Sequence, residues 1–217
     1  MSLLLPMKSE ADLTKFDFLK DLALKLGASE AKVVPANEIV VENRVVLKCR
    51  VGCKHYGRTL MCPPYSPNVD EFRKVLSEYS YVLVLKFKSK AEAPPVVAKL
   101  LSKDENAPSL TEEMQEKIRA FWASWKQDKL DLLKMVRDLE KAAMNKGYTL
   151  ALSFTTGSCL ICNKCNVEQK FCVYPTEARY SAQSVGINVK QTLENAHMPM
   201  QFPFKGAPET FGLVLIA

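Results

Sequence analysis

The chain has 217 residues, 47% of them hydrophobic and 25% charged, with a formal net charge of +6. That balance supplies a packed core for one domain or two small ones and excludes disorder as the dominant state. The longest apolar runs, Tyr81–Leu85 and Phe211–Ala217, are only strand-sized, so no membrane span is expected. Lys and Arg stand singly among acids, not in the runs that would announce nucleic acid.

Met1–Pro6 is apolar but lacks a basic n-region and a small-residue cleavage site, so a secretory signal is not expected and the cytoplasm is. From Thr14 to Leu26 the residues Phe18, Leu19, Leu22 and Leu26 recur at helical spacing, and Gly27 supplies the stop. Ala31–Pro35 and Glu38–Cys49 alternate and are rich in valine, which predicts two strands, the second delivering Cys49 at its end. Pro67–Tyr79 predicts a short helix capped by Asn68, and Tyr81–Lys88 a buried strand. Residues 89–110 carry three prolines and read as a surface excursion.

The next helix has the clearest pattern. Ser109-x-x-Glu112 resembles a capping box, Met114, Ile118, Phe121, Trp125, Leu132, Val136, Leu139 and Ala143 share one face, and Gly147 ends the run. At this spacing Trp122 and Trp125 are expected in the core, not stacked on a cofactor. Tyr148–Phe154 predicts an apolar strand that runs into Gly157. Thr176–Val185 and Asn188–His197 predict short helices, with His197 capping a helix or facing solvent, and Phe211–Ala217 predicts a last buried strand. Strands separated by helices imply one α/β domain over residues 1–217. Its central sheet is expected to be mixed or parallel, flanked by helices, with cysteine loops at the strand ends where open sheets bind ligands. A Gly-rich phosphate loop, a nucleophile elbow and the H-E-x-x-H pattern are all missing from the sequence, so nucleotide, flavin and hydrolase functions have no support, and no catalytic residue is assigned.

The seven cysteines form two sets: Cys49, Cys53 and Cys62, then Cys159, Cys162, Cys165 and Cys172. An odd number at close spacing argues against a disulfide framework and for metal ligation. The second set reads Cys159-x2-Cys162-x2-Cys165-x6-Cys172. Thiols at successive three-residue steps let a curled loop meet the corners of a [4Fe–4S] core, with a more distant cysteine for the fourth iron. Zinc held by four thiolates is the alternative, although zinc sites are usually built from two separated C-x2-C pairs. The first set reads Cys49-x3-Cys53-x8-Cys62-Pro63-Pro64, three thiolates without a fourth. The missing ligand could be His55, a carboxylate, water, substrate or a cysteine of another chain. A second cluster, a zinc or other metal site completed by His55, and no metal at all remain alternatives. Two clusters would bring the formal charge to about +3.

Three stretches carry a resemblance: Lys48–Pro64 with its first cysteine set, Gly147–Cys172 with the second, and Pro175–Val189, which reads PTEARYSAQSVGINV. The chain resembles the predicted metal-binding proteins grouped as domain of unknown function 2284, found mainly in anaerobic archaea and bacteria. That family usually has a basic residue after the fourth cysteine and a proline after the arginine, where this chain has Val173 and Tyr180. The resemblance implies metal or iron–sulfur binding at the seven cysteines and no particular reaction.

The function expected is an iron–sulfur protein of electron transfer or redox chemistry, with a redox partner protein. One alternative is an enzyme whose three-cysteine centre exposes an iron to a small-molecule substrate for sulfur transfer or reduction, His55 or Tyr56 supplying a proton. A zinc-stabilised interaction module is the other. Neither nucleic acid nor membrane is an expected partner.

Overall fold

A computed structural model describes residues 13–93, 110–201 and 206–217. The expectations on Met1–Pro6, on Ser109 as a cap and on most of the 89–110 excursion lie outside those residues. Helix α1 (Asp17–Lys25) runs into Gly27, whose φ of +104° favours glycine and turns the chain toward strand β1 (Glu30–Pro35).

Glu38–Cys49 is not a strand. A 3-10 turn at Ala36–Glu38 and a single bridge from Val41 to Ile187 lead into helix α2 (Asn43–Gly52). Val45, Val46 and Cys49 turn inward while Leu47, Lys48 and Arg50 are exposed, a helical period that the valine content disguises as a strand. Cys49 therefore sits in the last turn of a helix, not at a strand end.

Helix α3 (Val69–Ser77) has its expected cap in a reciprocal form. Asn68 Oδ1 accepts from the Asp70 and Glu71 N–H groups at 3.0 Å each, and Glu71 Oε2 accepts from Asn68 N–H at 2.8 Å. Strand β2 (Tyr81–Lys88) has the expected bounds, and the long helix α4 (Glu112–Asn145) starts from Thr111, whose hydroxyl accepts from Met114 N–H at 3.3 Å. Strand β3 is only Leu152–Phe154, because residues 148–151 are taken up by the turn out of α4. Thr176–Arg179 is turn and coil where a helix was expected, and Ala182–Val185 is a 3-10 turn. Helix α5 (Val189–Asn195) is capped by Asn188, and exposed His197 lies just past its end at φ +56°. Strand β4 (Glu209–Leu215) completes the fold.

The four strands form one sheet in the order β1-β2-β4-β3, antiparallel throughout. The expectation of a mixed or parallel sheet is corrected. It rested on strands separated by helices, and that alternation brings helices onto the sheet without fixing which way the strands run. Both faces are covered here. Leu83, Leu85 and Val214 pack with Phe16 and Leu19 before and on α1 and with Leu132, Val136 and Leu139 of α4. Val82, Val84, Leu213 and Leu215 pack on the other side with Phe72 and Leu76 of α3, Ile187 and Leu193 of α5. Among the described residues no helix is long and apolar enough to cross a membrane.

Candidate metal centre

The first cysteine set spans the end of α2 and the turn-rich segment behind it. Cys49 lies in the last helical turn, and Cys53 ends the helix with its N–H donating to Cys49 O at 3.3 Å. Cys62 is buried and fixed by successive turns: its N–H donates to Thr59 O at 3.1 Å, and Gly57 N–H donates to Pro63 O at 2.9 Å. The segment is anchored at both ends. Glu42 N–H donates to Gly186 O at 2.8 Å before α2, and Ser66 Oγ donates to Ser184 O at 2.9 Å after the turns.

The second set follows β3 in a long coil closed at its base. Thr155 and Ser181 form a parallel bridge, with Thr155 N–H donating to Tyr180 O and Ala182 N–H to Thr155 O. A buried charge pair holds that base against α4. Glu140 accepts from Ser153 N–H at 2.7 Å, from Ser153 Oγ at 2.6 Å and from Arg179 Nε at 2.8 Å. Burial opposes its ionisation, yet the bonds from Arg179 and Ser153 prevail and hold the carboxyl below the ordinary carboxylate range.

The two sets meet. Leu60 N–H, from the first segment, donates to Cys165 Sγ at 3.4 Å, and the Cys159 backbone amide lies near enough to Cys62 to favour its thiolate. Cys159, Cys162, Cys165 and Cys172 line a cavity of about 500 Å3, while Cys49, Cys53 and Cys62 line an adjoining one of about 360 Å3. His55 is half-buried and lines both, and burial, helped by Lys54, Lys129 and Arg58, lowers its pKa. Tyr56 lines the three-cysteine cavity.

Burial pushes the Cys49, Cys62, Cys159 and Cys162 thiols up, and the charge of neighbouring cysteines pushes them further. Cys62 responds to Cys53 of its own set and to Cys165 of the other. Among the described residues no three His, Cys, Asp or Glu side chains gather closely enough for a single metal ion. The thiols stand instead around the walls of hollows.

The walls hold residues that the cysteine spacing did not flag. Trp125, placed in the core on its spacing, is half-buried, stacks on Phe121 at 5.8 Å between ring centroids and lines the three-cysteine cavity. Trp125 thus packs against the small core cluster of Ile118 and Phe121, whereas its neighbour Trp122, expected in the core as well, is 38% exposed. Lys129, one helical turn further along α4, lines the same cavity with Ser158, Gln183 and Ser184. The signal was a break in the α4 stripe, where Asp128 and Lys129 interrupt the apolar run between Trp125 and Leu132.

Comparison with known families follows the same residues. A family model described as a predicted metal-binding protein, domain of unknown function 2284, matches residues 32–216. The chain belongs to that family. The match spans α2, both cysteine sets and all of the sheet but the first two residues of β1, so it covers every element that builds the two cavities of this family member. No curated protein and no solved structure matches it.

Proposed function

We propose that this chain is an iron–sulfur protein of redox chemistry. In this reading Cys159, Cys162, Cys165 and Cys172 hold a [4Fe–4S] cluster, and Cys49, Cys53 and Cys62 hold a second. The observation that carries the reading is the convergence of seven thiols, from segments about a hundred residues apart in sequence, on two adjoining cavities. The donor set and the room both fit a cluster. A single zinc ion binds thiolates at about 2.3 Å and needs them gathered round one point, whereas the four thiols here line a hollow of about 500 Å3.

When bound, such clusters supply one-electron transfer and, at an iron lacking a thiolate, a Lewis-acid position. The residues of the chain do the rest. Leu60 N–H donates to the Cys165 sulfur and the Cys159 backbone amide favours the Cys62 thiolate. His55 lines both cavities, which keeps the two centres adjacent, as an electron relay requires.

A second reading, an enzyme working at the three-cysteine centre, is favoured by one observation. That cavity extends past its three thiols to Trp125, Lys129 and several hydroxyl side chains, a wall with more chemistry than an electron carrier needs.

Anaerobic purification with iron, sulfide and zinc analysis tests the proposal. About eight irons per chain and broad absorption near ~400 nm are the expected result. A colourless protein with stoichiometric zinc refutes it, and about four irons removes the second cluster.

A further inference from the structure

The chemistry of the three-cysteine cavity is lopsided. Its lining contains one ammonium, that of Lys129, and no Asp or Glu. Among the described residues Lys129 makes no ion pair and no hydrogen bond; its Nζ lies 5.7 Å from the centroid of the Trp125 ring. The lysine shaft crosses the loop at Gly157, where an added Cβ would stand 3.6 Å from its Cδ, Cε and Nζ. Other cations of α4 without an ion pair among the described residues, Arg119, Lys126, Lys134 and Lys141, are exposed to solvent, whereas Lys129 is half-buried in the cavity wall. Lys129 is most of the way out of solvent, and burial, followed by repulsion from Lys54, lowers its pKa. No carboxylate of the cavity wall pairs with that ammonium, so besides the thiolates across the cavity it is free to meet an anion from outside.

We propose that the cavity bounded by Cys49, Cys53, Cys62, Trp125 and Lys129 binds a small monocarboxylate, held by the Lys129 ammonium over the Trp125 ring. The inference rests on the reading of Cys49, Cys53 and Cys62 as a centre with one coordination position left to a non-protein ligand. A single ammonium matches one carboxylate and not a phosphate dianion, and a cavity of about 360 Å3 shared with a cluster leaves room for a small ligand only. Trp125 supplies an apolar face for the carbon skeleton, while Ser158 and Ser184 offer hydroxyls near the same wall. Cys49, Cys53 and Cys62 line the same cavity, so a carboxylate held there shares it with the thiols beside which a substrate or a fourth ligand must arrive.

The test is calorimetric titration of the anaerobically purified, iron-loaded protein with acetate, using acetamide as the uncharged control. Saturable binding of acetate and not acetamide is expected. Lys129→Met should weaken it by roughly ten- to a hundredfold at unchanged iron content, and Lys129→Arg should retain it. No saturable binding, an equal response to acetamide, or wild-type affinity in Lys129→Met overturns the site. The last outcome would leave Lys129 as a counter-charge to the cluster, visible as a shifted potential alone. Iron analysis of the same samples judges the cluster reading separately, since a protein with eight irons and no acetate site keeps the proposed function and loses only this inference.

Discussion

Glu140 is the residue on which the base of the four-cysteine loop turns. Its carboxylate joins α4 to the Ser153 backbone in β3 and to Arg179 on the returning strand of coil, and both side chains of the ion pair are largely out of solvent, 9% and 15% exposed. Glu140→Gln leaves a buried guanidinium without its charge partner, so we expect a loss of about 3 kcal/mol in anaerobic urea unfolding. The pH dependence follows from the lowered pKa. A carboxyl whose folded pKa lies below its unfolded value contributes fully above about pH 4.3, and that contribution is lost as pH falls through the folded value. Wild type should therefore lose stability through that window, and Glu140→Gln should show a flatter acid limb. Asp128 plays a similar part at the other end of the same helix stretch. It is buried and accepts from Ser89 Oγ, from Lys90 N–H at 3.2 Å and from Ala91 N–H at 3.4 Å, tying the exit of β2 to α4. Asp128→Ala strands those donors and should cost roughly 1–3 kcal/mol by the same measurement.

At the scale of elements, the packing of α4 on the sheet is closest at Gly212. A Cβ there would stand 2.7 Å from Val136 Cγ1 and 3.2 Å from Leu132 Cδ1, both on fully buried, closely packed side chains. Gly212→Ala should push α4 off β4 and cost roughly 1–3 kcal/mol, and Val136→Ala in the same chain should recover part of that loss. This contact also explains what the sequence could reveal. β2, β4 and most of α4 were legible because burial on a sheet face or a helix stripe writes a period into the residues. Strand direction writes none, so the antiparallel order had no sequence signature once both faces were covered. Helix α2 was misread because three valines within residues 45–51 favour a strand, while its helical period is carried by half-buried positions only. Residues 176–179 were read as helix from composition, yet their geometry follows from Arg179 reaching Glu140 across about forty residues of chain, which no local pattern encodes. The candidate site divides in the same way. All seven cysteines were readable from spacing, whereas Trp125 and Lys129 enter it through tertiary packing of α4.

For the molecule as a whole, the two cysteine segments are held by the fold at their ends and by each other in the middle. Glu42, Ser66, Thr155 and Ser181 fix the ends through backbone bonds. Between those anchors the four-cysteine segment is coil, tied to the first set by the Leu60 N–H to Cys165 bond, with the Cys159 amide close to Cys62. Thiols raised by burial are protonated in the metal-free chain at neutral pH, so loading must release protons and its free energy adds to that of folding. Stripping the iron by chelation should therefore lower the unfolding temperature by several degrees and open residues 157–173 to proteolysis before the sheet, readable by anaerobic calorimetry and by mapping the first cuts. The two centres should also respond unequally to single substitutions. Cys162→Ser removes a thiol from the outer side of the larger cavity, and iron content should fall by about half. Cys62→Ser removes a buried sulfur that interacts with Cys53 of its own set and Cys165 of the other, so it should deplete iron below that level and lower the unfolding temperature further. Equal losses from the two variants, read by iron analysis and by the spectra, would mean that the centres assemble independently despite their shared wall.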